Sequence, residues 1–173
     1  MGKVWRGEVD QTPLGQIRVA VSVHGLVAVE WMAGEERFQH RLRRFRFDQI
    51  IPDLQYTAEA ARQIAEYLAG TRRSFDLPID WSVMSPFQQQ ALRITYAIPY
   101  GQVSTYGEIA RQMGRPAAAR AVGRAEATNP MPLVIPCHRV VGADGGLHGY
   151  GGPQGIGTKA WLLQLEGGRR LPD

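Results

Sequence analysis

Ile17, Val19, Val21 and Val23 alternate with Arg18, Ala20 and Ser22. That period of two predicts a strand with one buried face. His24-Gly25 is a turn signal, and Leu26 to Trp31 reads as the return strand. Thr12-Pro13-Leu14-Gly15 is a second turn, which makes Val4 to Val9 a third strand. The period then changes. Phe38, Leu42 and Phe45 recur at i, i+4 and i+7, one face of a helix whose other face carries Arg37, Arg41 and Arg44. Ala58, Ala61, Ile64, Ala65 and Leu68 mark a second helix, closed by Gly70. From Phe75 to Val83, with Pro78 inside, periodicity is lost, and a linker is predicted there. The expected organisation is a domain over 1–80 and a second over 85–173.

The second half opens with a helix start: Ser85 as N-cap, Pro86 at the first position and Gln88 three residues after the cap. Phe87, Ala91, Ile94 and Ile98 form its apolar stripe. Thr105 with Glu108 repeats the pattern and opens a short helix ending near Met113-Gly114. Pro116 starts another, running to about Ala127. Two short helices joined by a glycine-containing turn make a helix-turn-helix candidate. The second of them, through Ala117, Ala118, Ala119, Ala121, Gly123 and Ala125, is almost without bulk. Two readings fit: tight packing inside the protein, or close approach to a DNA groove with Arg120 protruding and Arg124 nearby. A last helix is expected from Thr158 to Glu166, carrying Trp161, Leu162 and Leu165.

Composition narrows the classes. Of 173 residues, 44% are hydrophobic and 21% charged, which is ordinary for a folded soluble chain. No apolar run reaches the roughly 20 residues of a membrane helix, and Met1 to Arg6 has no apolar signal core. A cytoplasmic protein without membrane partners is predicted. Residues 1–84 balance 11 basic against 11 acidic side chains, whereas residues 85–173 carry 9 against 5. The whole excess of +4 therefore lies in the second half. A basic half fits a polyanionic partner or an arginine-rich solvated surface.

The single cysteine, Cys137, excludes an intrachain disulfide and a thiolate-rich zinc site. It follows the apolar run Leu133-Val134-Ile135-Pro136 and precedes His138 and Arg139. A lone cysteine in such a run is commonly inert packing. Against that, His138 supplies a base, Arg139 supplies charge that favours thiolate, and Pro136 ends or bends a strand. Neighbours on a regular strand point to opposite faces, so His138 reaches Cys137 only through a turn or a bridging water.

Pro136-Cys137-His138-Arg139-Val140 resembles the cysteine motif of the O6-alkylguanine-DNA alkyltransferases, the methylated-DNA–protein-cysteine methyltransferases. So do Pro86-Phe87-Gln88, Ile98-Pro99-Tyr100-Gly101, Tyr106-Gly107-Glu108-Ile109-Ala110, Ala119-Arg120-Ala121-Val122-Gly123, Asn129-Pro130, Gly149-Tyr150 and Leu162-Leu163 to Glu166-Gly167, in the family's order. The likeness covers Ser85 to Gly167 closely, and the first half only in its pattern of elements. It implies an α/β plus α fold. An N-terminal antiparallel sheet with helices, ribonuclease H-like, would precede a C-terminal winged helix-turn-helix domain carrying the reactive cysteine.

The resemblance further implies that Cys137 is the nucleophile. His138 takes its proton through a water, Glu166 orients His138, and Asn129 ties down the backbone of the cysteine turn. Tyr106 helps turn the nucleotide out and donates a hydrogen bond to the leaving guanine. Arg120 fills the gap in the base stack, and Ala119, Ala121, Gly123 and Arg124 lie along the groove. Val140, Tyr150, Gly151, Pro132 and His148 surround the extruded base. The implied partner is duplex DNA containing O6-alkylguanine, met by a monomer. One irreversible turnover is expected, with no metal and no soluble cofactor. The chain departs from the family pattern at His148, where a small residue is usual, and in the second helix, which carries Glu126 and lacks a basic residue at Ala127, where one is common. The first predicts either a crowded pocket or a solvent-directed ring; the second predicts weaker DNA affinity.

Overall fold

A computed structural model describes residues 2–31, 33–150 and 155–168. The chain divides into two compact units, Met1–Val83 and Met84–Asp173.

In the first unit the alternating segments form β1 (Gly2–Thr12), β2 (Gly15–Ser22) and β3 (Gly25–Glu30), paired as an antiparallel meander. Two helices follow, α1 (Glu35–Arg44) and α2 (Ala58–Leu68). α1 has Glu35 and Glu36 in its first turn and Arg41, Arg43 and Arg44 in its last, an arrangement that complements the helix dipole. Phe38 and Leu42 of α1 pack with Val4, Ala20, Val27, Ala28 and Phe47 in the core.

Two features of this unit depart from the pattern reading. The expected sheet is antiparallel, but a fourth strand, β4 (Phe47–Pro52), joins the edge of β1 in parallel, giving the order β3-β2-β1-β4. The sheet is therefore mixed. The expected linker is not free either. Ile79 bridges Leu26; the Leu26 amide donates to the Pro78 carbonyl and the Asp80 amide to the Leu26 carbonyl. Ser22 Oγ donates to buried Asp80 at 2.6 Å. Gly25 makes the close approach possible, since a Cβ there would lie 2.3 Å from the Pro78 carbonyl oxygen.

The second unit holds α3 (Pro86–Tyr96), β5 (Ser104–Thr105), α4 (Tyr106–Gln112), α5 (Ala119–Ala127), β6 (Val140–Val141) and α6 (Gly155–Leu165). Both expected caps form: Ser85 Oγ accepts from the Gln88 amide, and Thr105 Oγ1 from the Glu108 amide. The turn between α4 and α5 closes by two bonds, Arg115 N–H to Ala110 O and Gly114 N–H to Arg111 O. This closure needs the left-handed φ of 71° that Gly114 supplies. A 3₁₀ turn, Pro116–Ala118, leads into α5. Ile109, Ala110, Val122, Ala125 and Val140 build the core between these helices. Full burial of a residue such as Ile109 or Val122 is worth about 1.5–3 kcal/mol. β5 and β6 pair in parallel, Ser104 with Val140 and Thr105 with Val141. That short ladder fixes the start of α4 beside the end of the cysteine turn. α6 begins three residues before the expected Thr158.

Candidate alkyl-acceptor site

Cys137, His138 and Arg139 form one 3₁₀ turn, not a strand. The Cys137 amide donates to Ile135 O and the Arg139 amide to Pro136 O, both at 2.8 Å. Asn129 holds the approach to this turn. Its Nδ2 donates to Ile135 O at 2.8 Å, and its Oδ1 accepts from the Met131 amide at 3.0 Å. Between them Pro132 is half-buried, and buried Leu133 adopts a left-handed φ of 75°. For a residue with a Cβ that conformation is uncommon and is maintained by its surroundings.

Glu166, just past α6, gathers the turn from behind. One oxygen lies 2.9 Å from His138 Nε2. Arg139 donates through Nε and Nη2 at 2.8–3.2 Å. The Gly101 amide donates to the other oxygen at 3.1 Å. These bonds to the charged form hold the carboxyl well below the usual carboxylate range, against the opposing effect of burial. Desolvation dominates at His138 and pushes the imidazole down, favouring its neutral form. With Nε2–H turned to Glu166, Nδ1 is the acceptor nitrogen.

Arg139 was expected to favour a thiolate. In the structure its charge is taken up by Glu166, and its Nη1 donates to Ile98 O at 2.6 Å. Cys137 is only 5% exposed. Burial, with Glu126 next in weight, pushes its thiol up to about 12, while Asn129 and Lys159 pull it down. The resting group is a thiol.

Tyr106, first residue of α4, donates its hydroxyl to the His148 carbonyl at 3.2 Å. Burial, then Glu126 and Cys137, push the phenol up to about 12. Sequence reasoning assigned no role to Lys159, yet it is 1% exposed and stands at the centre of this side of the site. Its Nζ donates to Val140 O at 2.5 Å and to His148 O at 3.1 Å, and lies 3.4 Å from Tyr106 Oη. A signal existed. Lys159, Leu162, Leu163 and Glu166 stand at i, i+3, i+4 and i+7, so the lysine shares the helix face of two core leucines and the acid.

Arg120 and Arg124 are exposed on α5, and neither meets an acid among the described residues. Ala119, Ala121 and Gly123 are half-buried. Glu126, expected to weaken DNA affinity, instead points inward on the Val122 side and is buried, its carboxyl 2.5 Å from Thr95 Oγ1. An inward acid leaves the cationic face intact. His148 turns its ring to solvent, 3.7 Å from Asp144, so the solvent-directed reading applies. Tyr150 is buried, its ring edge-on to His138, with centroids 6.4 Å apart. Gly151 lies outside the described residues. Among those described, no three His, Cys, Asp or Glu side chains are placed to hold a metal ion, and no helix is long and apolar enough to cross a membrane.

Residues 86–168 match the family model described as 6-O-methylguanine DNA methyltransferase, DNA binding domain, and residues 8–81 match that enzyme's ribonuclease-like domain. The methylated-DNA–protein-cysteine methyltransferase of Methanosarcina acetivorans is 38% identical over 157 residues, covering 91% of this chain and 95% of the relative. That of Salmonella typhimurium is 38% identical over 161 residues, covering 90% and 92%. The crystal structure of Mycobacterium tuberculosis OGT in complex with DNA superposes with a TM-score of 0.78 at 36% identity, over 94% of this chain and 92% of that one. Both units match in the family's own order and over nearly full length, and the chain therefore belongs to the 6-O-methylguanine DNA methyltransferase family.

Proposed function

We propose that this protein repairs duplex DNA by direct reversal, moving the alkyl group of O6-alkylguanine onto Cys137 in a single turnover. The observation that carries the reading is the buried turn that sets the lone thiol next to His138, whose far nitrogen is held by Glu166 at 2.9 Å. Exposed Arg120 and Arg124 on the small-residue helix α5 supply the contact with the phosphate-lined groove. The lesion sits inside the stack, so the nucleotide is turned out at a cost of a few kcal/mol, less at a damaged pair. Arg120 occupies the gap. Val140, Tyr150, Pro132 and the main chain of His148 border the extruded base.

The thiol proton passes through a water to His138 Nδ1, and Glu166 stabilises the imidazolium that forms. The sulfur then attacks the alkyl carbon. The S–C bond forms as the C–O6 bond breaks, and its electron pair goes to guanine. Tyr106, with Lys159 beside it, stabilises the departing base by donating a hydrogen bond. The proton lost by the thiol balances the one guanine regains. A thioether has no hydrolytic route back to the thiol, so each molecule acts once. The protein works in the cytoplasm as a monomer, with domains over 1–80 and 85–173.

The test is intact mass and peptide mapping after mixing with a duplex containing O6-methylguanine. One methyl group on Cys137, saturating at one equivalent, is expected, and Cys137→Ala should bind the duplex while gaining no mass. An unchanged wild-type mass, or transfer by the variant, refutes the assignment.

A further inference from the structure

α5 carries a buried acid that the transfer steps leave unused. Arg120, Arg124 and Ala127 share its outer face, while Glu126 follows Val122 by one turn on the inner face and is 4% exposed. One carboxyl oxygen lies 2.5 Å from Thr95 Oγ1. The other is buried and has no hydrogen-bond partner among the described residues. Thr95 Oγ1 is also 3.2 Å from the Ala91 carbonyl one turn back in α3. A threonine hydroxyl has one hydrogen and two acceptor sites. If the acid carries a proton, both contacts are satisfied: Glu126 donates to Thr95, and Thr95 donates to Ala91 O. If the acid is ionised, one of the two contacts loses its hydrogen, and a buried charge has one hydrogen bond at most and no ion-pair partner among the described residues.

The surroundings tie this acid to the chemistry. α3, which holds Thr95, packs against α5 and against the cysteine turn. The titratable groups of neighbouring elements whose charge acts on Glu126, or on which its charge acts, are Lys159 of α6, Tyr106 of α4 and Cys137 of the turn. A negative charge on Glu126 would oppose a thiolate at Cys137 and make the Tyr106 phenol a poorer acid.

We propose that Glu126 is a positioning residue for the alkyl transfer, a second acid kept uncharged against Thr95, whose ionisation holds Cys137 as a thiol and so sets the alkaline limit of the reaction. The proposal rests on Cys137 being the alkyl acceptor. Burial supports it by pushing the carboxyl up to about 8, with the Thr95 bond and Lys159 only partly opposing. Thiol chemistry ordinarily quickens as pH rises; here the rise is cancelled as Glu126 loses its proton.

The test is the single-turnover transfer rate at saturating O6-methylguanine duplex, read as the ratio of pH 9 to pH 7. Glu126→Gln keeps the shape and cannot ionise, so its ratio should exceed the wild-type ratio by about tenfold, the change expected one pH unit above the titration. Superimposable profiles for the two proteins overturn the proposal, and a merely structural role would lower the variant's rate without changing the ratio. Alkylation of Cys137, the sole thiol, by iodoacetamide at pH 9 reads the same coupling without DNA. Glu126→Gln should react faster, and equal rates refute the coupling. If wild type transfers nothing at any pH while that difference persists, the proposed function fails, and with it the role in transfer, and only the coupling of Glu126 to the Cys137 thiol stands.

Discussion

Replacing Glu166 by Gln removes one charge and almost no volume, yet it strikes the most heavily bonded group of the site. The carboxylate receives the Arg139 guanidinium, His138 Nε2 and the Gly101 amide. Arg139 is buried, with the Ile98 carbonyl and the Tyr100 ring as further partners, so the variant leaves a guanidinium in the interior without its counter-charge. Breaking a buried pair from one side costs about 3–5 kcal/mol, which at ordinary urea sensitivities lowers the unfolding midpoint by roughly 1–3 M. Urea titration followed by tryptophan fluorescence is the assay.

The pH dependence carries a sign. The Glu166 carboxyl is held below its unfolded value, so its contribution is complete above that value, near 4.5. It is lost as pH falls through the depressed folded value, because the unfolded chain takes up the proton first. The gap between wild type and Glu166→Gln should therefore be widest at neutral pH and shrink below about pH 4.5. Methyl transfer at neutral pH should slow by about 100-fold or more, as His138 loses the anion that steadies its charged form. A variant within about 1 kcal/mol of wild type at pH 7, or a gap that grows on acidification, would refute the view that this carboxylate is the ionised anchor of the turn.

Arg120→Ala should slow transfer from duplex DNA more than transfer from a free O6-alkylguanine base, because the base has no stack to fill; equal losses on both would rule out the stacking role. The same variant should show a shallower fall of DNA affinity with salt. Asn129→Ala leaves the Ile135 carbonyl and the Met131 amide without their side-chain partners, which should cost about 1–3 kcal/mol. The loss should appear in urea unfolding, and hydrogen exchange at Met131 should accelerate; an unchanged Met131 amide would remove Asn129 from its place as the tie.

The elements legible in the sequence were those whose signal is local. β2 announces itself by alternation, and α3 and α4 by Ser85 and Thr105, whose side chains bond the amides that the capping pattern requires. β4 escaped because it is short, ends on Pro52 and has exposed or half-buried residues after Phe47, so no alternation marks it. The segment at Pro78 to Asp80 escaped for another reason: main-chain groups hold it against Leu26, and these leave little trace in residue type. α6 starts early through Gly155 to Gly157, residues of poor helix propensity.

Within the site, His138, Glu166 and Asn129 lie around the one turn that carries Cys137. The state of the thiol was not legible, since burial and Glu126 set it, and the charge next to it in sequence, Arg139, is taken up by a residue 27 positions away. Lys159 and Glu126 look like solvated charges when read singly. Their positions relative to Leu162, Leu163 and Val122 show that they share the buried helix faces.

Several of the groups that steady the cysteine turn arrive late along the chain. Lys159, the Leu165 carbonyl that receives the Tyr100 hydroxyl, and Glu166 all belong to α6 or its end, downstream of Cys137. On the ribosome the sulfur is thus made before its base has an anion and before the Val140 carbonyl has its cation. On the proposed mechanism, competence follows only when α6 emerges and docks, so a nascent chain carries an idle thiol while synthesis is under way.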